Sequence, residues 1–216
     1  MEIWYAIPSA SPERAAKCLA RWRDQGYLTA VLIDTGQPRP EADLVLEEAL
    51  WPGYYRSVNQ LVRAIGNADI VVAGGDDLYP DPTRDAEELG LAFFRRFSDG
   101  FGVMQPTGDD LDGTDRICGS PWFGAGWIAR AYQGEGPFFP GYDVFFGDEE
   151  LKNVTERLGV LWQRRDVVQY HDHWIRPGGP PKTDYQTRND RFWAGDKALF
   201  ASRQAAGFPG HEPRGA

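Results

Sequence analysis

Residues 67–81 read NADIVVAGGDDLYPD, and the fold class turns on how this stretch is understood. Ile70–Ala73 is a short, β-branched, apolar run of the kind that forms a buried strand, and it breaks off at Gly74-Gly75-Asp76-Asp77. Two adjacent carboxylates behind a buried strand are costly to hold together unless a cation neutralises them or water reaches them. Gly-Gly-Asp-Asp is also good turn chemistry, so a solvated acidic turn is the competing reading. The neighbouring segments separate the two.

Upstream, Val58, Leu61, Val62 and Ile65 form one apolar stripe of a helix that stops at Gly66, with Arg56, Asn59 and Arg63 on its other faces. Farther back, residues 3–7 and 28–33 are strand-like runs, the second delivering Asp34 at its end, and Leu44–Glu48 is a short third strand. Between the first two, Ser11 caps a helix with Pro12 at its first position; Ala15, Cys18, Leu19 and Trp22 recur at helical spacing before Gly26. The β-α-β order predicts parallel pairing through right-handed crossovers. The carboxylate pair therefore falls at a strand's carboxyl end, the edge at which open α/β sheets bind ligands.

Downstream, Ala86, Leu89, Phe93 and Phe97 predict another amphipathic helix, and residues 101–104 another strand. The second half is less regular. It holds an acidic loop at residues 109–115, an aromatic and glycine-rich stretch at 122–147, a helix near 149–158 and a strand near 167–170. Residues 196–216 read as a helix end followed by a flexible tail rich in Gly, Pro and Ala.

A chain of 216 residues suits one α/β domain, expected over residues 1–195, and 42% hydrophobic residues exclude global disorder. No apolar run approaches the roughly 18 residues of a membrane span and no basic-then-apolar leader opens the chain, so no membrane anchor and a cytoplasmic location are expected. Cys18 and Cys118, the two cysteines, are too few for a disulfide scaffold or a thiolate metal cage. A net charge of −9 argues against a broad polyanion-binding face.

Two of the three histidines, His171 and His173, lie in the segment YHDHW. Strand positions two apart point to the same side, and imidazole beside oxygen ligands favours manganese over magnesium. Asp77 with His173 would make a mixed metal site.

The run NADIVVAGGDDLYPD resembles the strand and metal-binding motif of GT-A glycosyltransferases, especially the inverting enzymes of family 2. The resemblance implies that Asp77 binds a divalent ion on the donor diphosphate, with Asp76 towards the ribose or sugar. WYAIPSASPERA, residues 4–15, is similar to the family's first strand and donor loop, which places Pro8 and Ser9 near the nucleotide and Asp34 near the base. FFGDEELKNVTERLG, residues 145–159, resembles the segment that carries the catalytic base. Aligned on Leu151, it puts Asp148 on the base and Glu150 on a later acidic position, while Gly147 departs from the pattern and keeps Asp148, Glu149 and Glu150 all open as the base. YHDHWIRPGGPPKTDY, residues 170–185, resembles a late segment in which a histidine completes the metal site, His173 first and His171 second, and Lys182 meets phosphate.

The implied fold is an α/β, GT-A (Rossmann-like) single-domain sandwich with a mostly parallel central sheet. Residues 1–105 would be its nucleotide-sugar half and 106–195 its acceptor and base half. The implied activity is metal-dependent, inverting transfer from a nucleoside-diphosphate sugar, UDP-sugars favoured, with Mn2+ or Mg2+. The acceptor is open among a glycan, a small molecule, a protein and a modified nucleic-acid base. Arg63 or Lys182 would add positive charge at the donor, with Asn59 grouped beside them, and Trp122, Phe123 and Trp127 would form an aromatic acceptor wall. Core packing is the competing reading of those aromatics. A sugar nucleotidyltransferase and a non-catalytic nucleotide-sugar-binding module are the rival functions. GAGWIA at residues 124–129 lacks the strand-to-helix context of a dinucleotide fingerprint, and the acidic loop lacks the closing glutamate of a calcium loop.

Overall fold

A computed structural model describes residues 1–210 of the chain. Residues 211–216, and the end of the expected tail with them, lie outside the described residues.

The elements run β1 (Ile3–Pro8), α1 (Pro12–Arg23), β2 (Leu28–Asp34), β3 (Leu44–Glu48), α2 (Tyr54–Ile65), β4 (Ile70–Ala73), β5 (Leu78–Tyr79) and α3 (Ala86–Arg96). They continue through β6 (Val103–Pro106), β7 (Trp122–Gly124), α4 (Ala125–Arg130), α5 (Gly147–Arg157), β8 (Leu161–Arg164), β9 (Tyr170–His171), α6 (Asp184–Asn189) and α7 (Trp193–Ala205). Seven strands form one sheet in the order β3-β2-β1-β4-β7-β6-β8. Every pairing in it is parallel except the two made by β7, so the sheet is mostly parallel, as expected.

Both faces of the sheet are covered, and the sequence shows why. Along β1, β2 and β4 almost every residue is apolar, and alternate residues go to opposite faces. Ala6, Ala30, Leu32, Val71 and Ala73 join a core with Val58, Leu61, Leu151 and Val154 of α2 and α5. Tyr5, Ile7, Val31, Ile33 and Val72 join the other, with Leu19 and Trp22 of α1 and Leu89 and Phe93 of α3. The result is a three-layer sandwich.

The second core also fixes the turn after β4. Trp22 stacks on Tyr5 with ring centroids 3.9 Å apart and donates from Nε1 to the Leu78 carbonyl at 2.9 Å. The Tyr5 hydroxyl donates to the Gly75 carbonyl at 2.6 Å. A Cβ on Gly74 would stand 2.5 Å from that hydroxyl, so a side chain there would displace the turn that carries Asp76 and Asp77.

Three expectations need correction. The strand expected at 101–104 starts at Val103, because Phe101 donates its amide to Asp99 and Gly100 takes φ +70°. In place of a strand at 167–170 there are β8 and the two-residue β9, which pairs antiparallel with β5. The C-terminal helix reaches Ala205 and is anchored, since the Asp196 carboxylate accepts the amides of Asp143, Val144 and Phe145 at 2.8–3.1 Å and Arg203 pairs with Glu150. Composition alone does not reveal such anchors.

Candidate active site

The carboxyl ends of the parallel strands open on a cleft of about 850 Å³. Its walls include Pro8 and Ser9 after β1, Asp34 at the end of β2, Trp51 after β3, and Asp76 and Asp77 after β4. Crossover connections put these strand ends on one side, so residues from separate segments converge there.

The carboxylate pair is buried and surrounded. Asp76 accepts from Ser9 Oγ at 2.6 Å and from the Tyr185 hydroxyl at 3.5 Å, and pairs with Arg14 Nη2 at 2.9 Å. The same Arg14 nitrogen lies 3.4 Å from Asp77 Oδ2, and His171 Nε2 lies 3.2 Å from Asp77 Oδ1. Burial pushes the Asp76 carboxyl above the ordinary carboxylate range, against the Ser9 hydrogen bond and the Arg14 charge. For Asp77 burial also pushes up, but the hydrogen bond and charge of His171 outweigh it, and the carboxyl falls below that range.

His171 arrives through β9, whose pairing sets it opposite Leu78, while the Asp172 amide donates to the Asp77 carbonyl at 2.8 Å. The family resemblance ranked His173 first, and alternation along a continuous strand put both rings on one side. The strand ends at His171, the His173 amide turns back onto the His171 carbonyl, and His171 is the imidazole in contact with Asp77. The His173 ring stays close, 4.7 Å from that of His171 between centroids, and lines the same cleft. Burial and the neighbouring His171 push its imidazole down to about 4.

Among the described residues no group of three or more His, Cys, Asp or Glu side chains is placed to hold a metal ion by itself. The donor set is a carboxylate and an adjoining imidazole, with a second imidazole nearby. That set fits a hard cation which takes its remaining ligands from water and substrate phosphate, as magnesium and manganese do.

Asp148 lines the cleft from the first turn of α5. Its Oδ1 accepts from the Tyr55 hydroxyl and the Glu149 amide, both at 3.0 Å, and the Asp148 amide donates to the Tyr55 hydroxyl at 3.2 Å. Oδ2 has no donor among the described residues. Burial pushes the carboxyl up, outweighing these hydrogen bonds, and Glu149 beside it is also raised by burial and by the Asp148 charge. A carboxylate with a raised pKa and a free oxygen in a cleft is equipped to accept a proton.

The three acidic candidates separate by helix rotation. Asp148 and Glu149 line the cleft, whereas Glu150 turns into the core, fully buried, with Arg203 on both oxygens at 2.6 and 2.7 Å and the Tyr142 hydroxyl at 2.9 Å. It is structural, and is removed as a candidate base. Trp122, Phe123 and Trp127 are likewise fully buried. Successive β7 residues point into opposite cores, and Trp127 donates to the Pro137 carbonyl at 3.1 Å, so none is an acceptor wall. Asn59 is consumed by the Phe138 backbone, Arg63 reaches the Glu135 carbonyl and Lys182 pairs with Asp190; none of the three lines the cleft.

Sequence reasoning missed Arg14, Tyr55, Trp51 and the face of α6 that brings Tyr185 and Arg188 to the cleft, with Arg191 in the turn just after it. The last was accessible. Thr183 and Gln186 form a reciprocal capping box, a signal that marks a helix start.

No protein-family model matches the chain, and no curated protein matches it. Among solved structures, TarS of S. aureus superposes with a TM-score of 0.59 at 10% identity over 79% of this chain and 36% of TarS. Residues 1–349 of TarS give 0.59 and 11%, covering 79% of this chain and 60% of that one. This chain thus spans about a third of the longer TarS chain. A mutant Drosophila β1,4-galactosyltransferase 7 in complex with manganese, UDP-Gal and xylobiose superposes with a TM-score of 0.51 at 10% identity, over 87% of this chain and 79% of that one. The chain has the GT-A, Rossmann-like glycosyltransferase fold that its sequence led us to expect.

Proposed function

We propose that this chain transfers a sugar, with inversion, from a nucleoside-diphosphate sugar to an acceptor hydroxyl. The observation that carries the reading is one cleft with two unlike acidic corners. Asp76 and Asp77 share the Arg14 guanidinium and are ringed by Ser9, Tyr185 and His171, while Asp148 has no ion-pair partner among the described residues and its only side-chain hydrogen bond comes from Tyr55.

In this reading Pro8, Ser9 and Asp34 line the donor's place at the strand ends, with a UDP-sugar the favoured donor. Asp148 Oδ2 takes the proton of the acceptor hydroxyl as it attacks the anomeric carbon from the face opposite the leaving diphosphate. Tyr55 fixes the other oxygen and so orients the base. Arg188 and Arg191, at the cleft, add positive charge for the departing diphosphate. A divalent cation, Mn2+ or Mg2+, held by Asp77 and His171 with His173 beside them, would supply Lewis-acid stabilisation of that leaving group.

The test is incubation with a panel of nucleoside-diphosphate sugars, manganese and candidate acceptors, with products resolved by mass spectrometry. Release of nucleoside diphosphate that disappears in Asp148→Asn supports transfer. Release of pyrophosphate from a nucleoside triphosphate and sugar phosphate would replace this reading with nucleotidyl transfer, and tight binding without turnover would replace it with a binding module.

A further inference from the structure

Among the described residues Arg14 is the one cation that bridges both members of the carboxylate pair, and the proposed transfer gives it no role. Its position on the chain is set firmly. Ser11 accepts the Arg14 amide as the N-cap of α1 and Pro12 stands in the first turn, so the Arg14 backbone is fixed beside the turn after β4. Its side chain is 30% exposed, whereas the carboxylates that its guanidinium meets are 3% and 11% exposed.

The four carboxylate oxygens divide among their partners unevenly. Asp76 Oδ2 is taken by Ser9, Asp76 Oδ1 by Arg14 with Tyr185 farther off, Asp77 Oδ1 by His171, and Asp77 Oδ2 by Arg14 alone. The Asp76 contact is 2.9 Å and the Asp77 contact 3.4 Å. Two buried neighbouring carboxylates repel unless a positive charge sits between them, and a guanidinium, which stays protonated, supplies that charge permanently. A divalent ion held between Asp77 and His171 would meet Oδ1 and stand across the same carboxylate from the guanidinium, so charge repulsion opposes it. A diphosphate reverses the balance, because its oxygens match the guanidinium fork and its negative charge screens one cation from the other.

We propose that Arg14 is the resident counter-cation of Asp76 and Asp77, and that it releases Asp77 to a divalent ion only when a diphosphate takes up its guanidinium. The idea rests on the nucleotide-sugar reading of the cleft and deepens it. Arg14 makes metal and diphosphate binding mutually dependent, and by linkage each tightens the other by the same factor.

The experiment is a titration of Mn2+ into the full chain, followed by calorimetry and by electron paramagnetic resonance of free Mn2+, without UDP and with saturating UDP. For the wild type, UDP is expected to tighten Mn2+ by about 10-fold or more, within the 5–150-fold range usual for coupled sites. Arg14→Gln is expected to bind Mn2+ alone several-fold tighter and to lose most of the tightening by UDP. A guanidinium that merely added background charge would shift Mn2+ affinity equally with and without UDP, so an unchanged coupling factor in Arg14→Gln overturns the proposal. Should that variant melt early, Arg14→Lys keeps the charge and loses the fork. Its coupling is expected to fall at least threefold, and full wild-type coupling in it overturns the proposal too. Wild-type protein that binds UDP but no Mn2+ under either condition removes the metal reading of Asp77, whereas protein that binds neither removes the nucleotide-sugar reading itself.

Discussion

Asp76–Asp77 and Asp148 line one cleft, and after burial both Asp148 and Asp77 push up the Tyr54 phenol, yet the two corners are held in opposite ways. The pair is tied to residues from distant segments, Ser9, Arg14, His171 and Tyr185, and shares the Arg14 guanidinium. Asp148 is held by one neighbouring helix through Tyr55 and by the amide of Glu149, and one of its oxygens is left free. A carboxylate pair that faces a cation suits a binding corner. A carboxylate with no cation beside it and an oxygen open to the cleft suits a group that exchanges protons.

The largest effect should come from removing that asymmetry at its reactive end. Asp148→Asn is expected to lower the transfer rate by about 10²–10⁴-fold while leaving UDP and Mn2+ affinity within about twofold, because it deletes a base and no ligand contact. Asp77→Asn should do the converse in calorimetry and abolish Mn2+ binding in the presence of UDP. If Asp148→Asn lost nucleotide affinity as well, the two corners would not be functionally distinct.

Next in size is a change to what anchors the Asp148 side. Arg203→Ala leaves Glu150 charged and fully buried without its partner, and breaking such a pair typically costs about 3–5 kcal/mol. It also removes the guanidinium over the Phe139 ring, 3.4 Å from its centroid. Chemical denaturation should show the loss, and Arg203→Ala with Glu150→Leu together should recover much of it. A loss of under about 1 kcal/mol would mean that α7 is not what steadies α5.

How far the sequence revealed these two corners follows from what each residue type can be used for. Ile70–Ala73 followed by Gly-Gly-Asp-Asp was legible because few roles suit a β-branched run that stops at two small residues and two charges. His171 and His173 stood out through the rarity of histidine, but alternation put both on one face, and the strand ends two residues short of His173. Trp122, Phe123 and Trp127 were ambiguous in principle, since the same rings pack a core or stack on a sugar, and only burial decides. Glu150 and Asp148 differ by two helical steps, which the acidic run itself does not orient. Arg14 was illegible, because its meaning lies in a pair of carboxylates that only the crossover to β4 brings near.

A smaller effect should appear in stability against pH. The native state raises the Asp148 pKa above its unfolded value, so it favours the protonated acid. That contribution is fully present below the ordinary carboxyl value of about 4 and is lost as pH rises through the folded pKa. Asp148→Asn, uncharged throughout, should therefore melt close to the wild type at the acid end and a few degrees above it at neutral pH. A melting difference that did not change with pH would mean that the carboxylate is not desolvated in the fold.

The smallest and most specific change is Tyr55→Phe. The hydroxyl donates to Asp148 Oδ1 and accepts the Asp148 amide, so it stabilises the ionised carboxylate while orienting it. Its removal should raise the Asp148 pKa further, moving the acid limb of the rate profile to higher pH by less than about one unit. The plateau rate should fall only modestly, since the base survives. The ring remains in the core with Val58 and Phe138, so little stability beyond one hydrogen bond, about 1 kcal/mol, should be lost. A shift of the limb to lower pH would mean that the tyrosine favours the protonated acid, and would make it, together with burial, a cause of the raised pKa of Asp148.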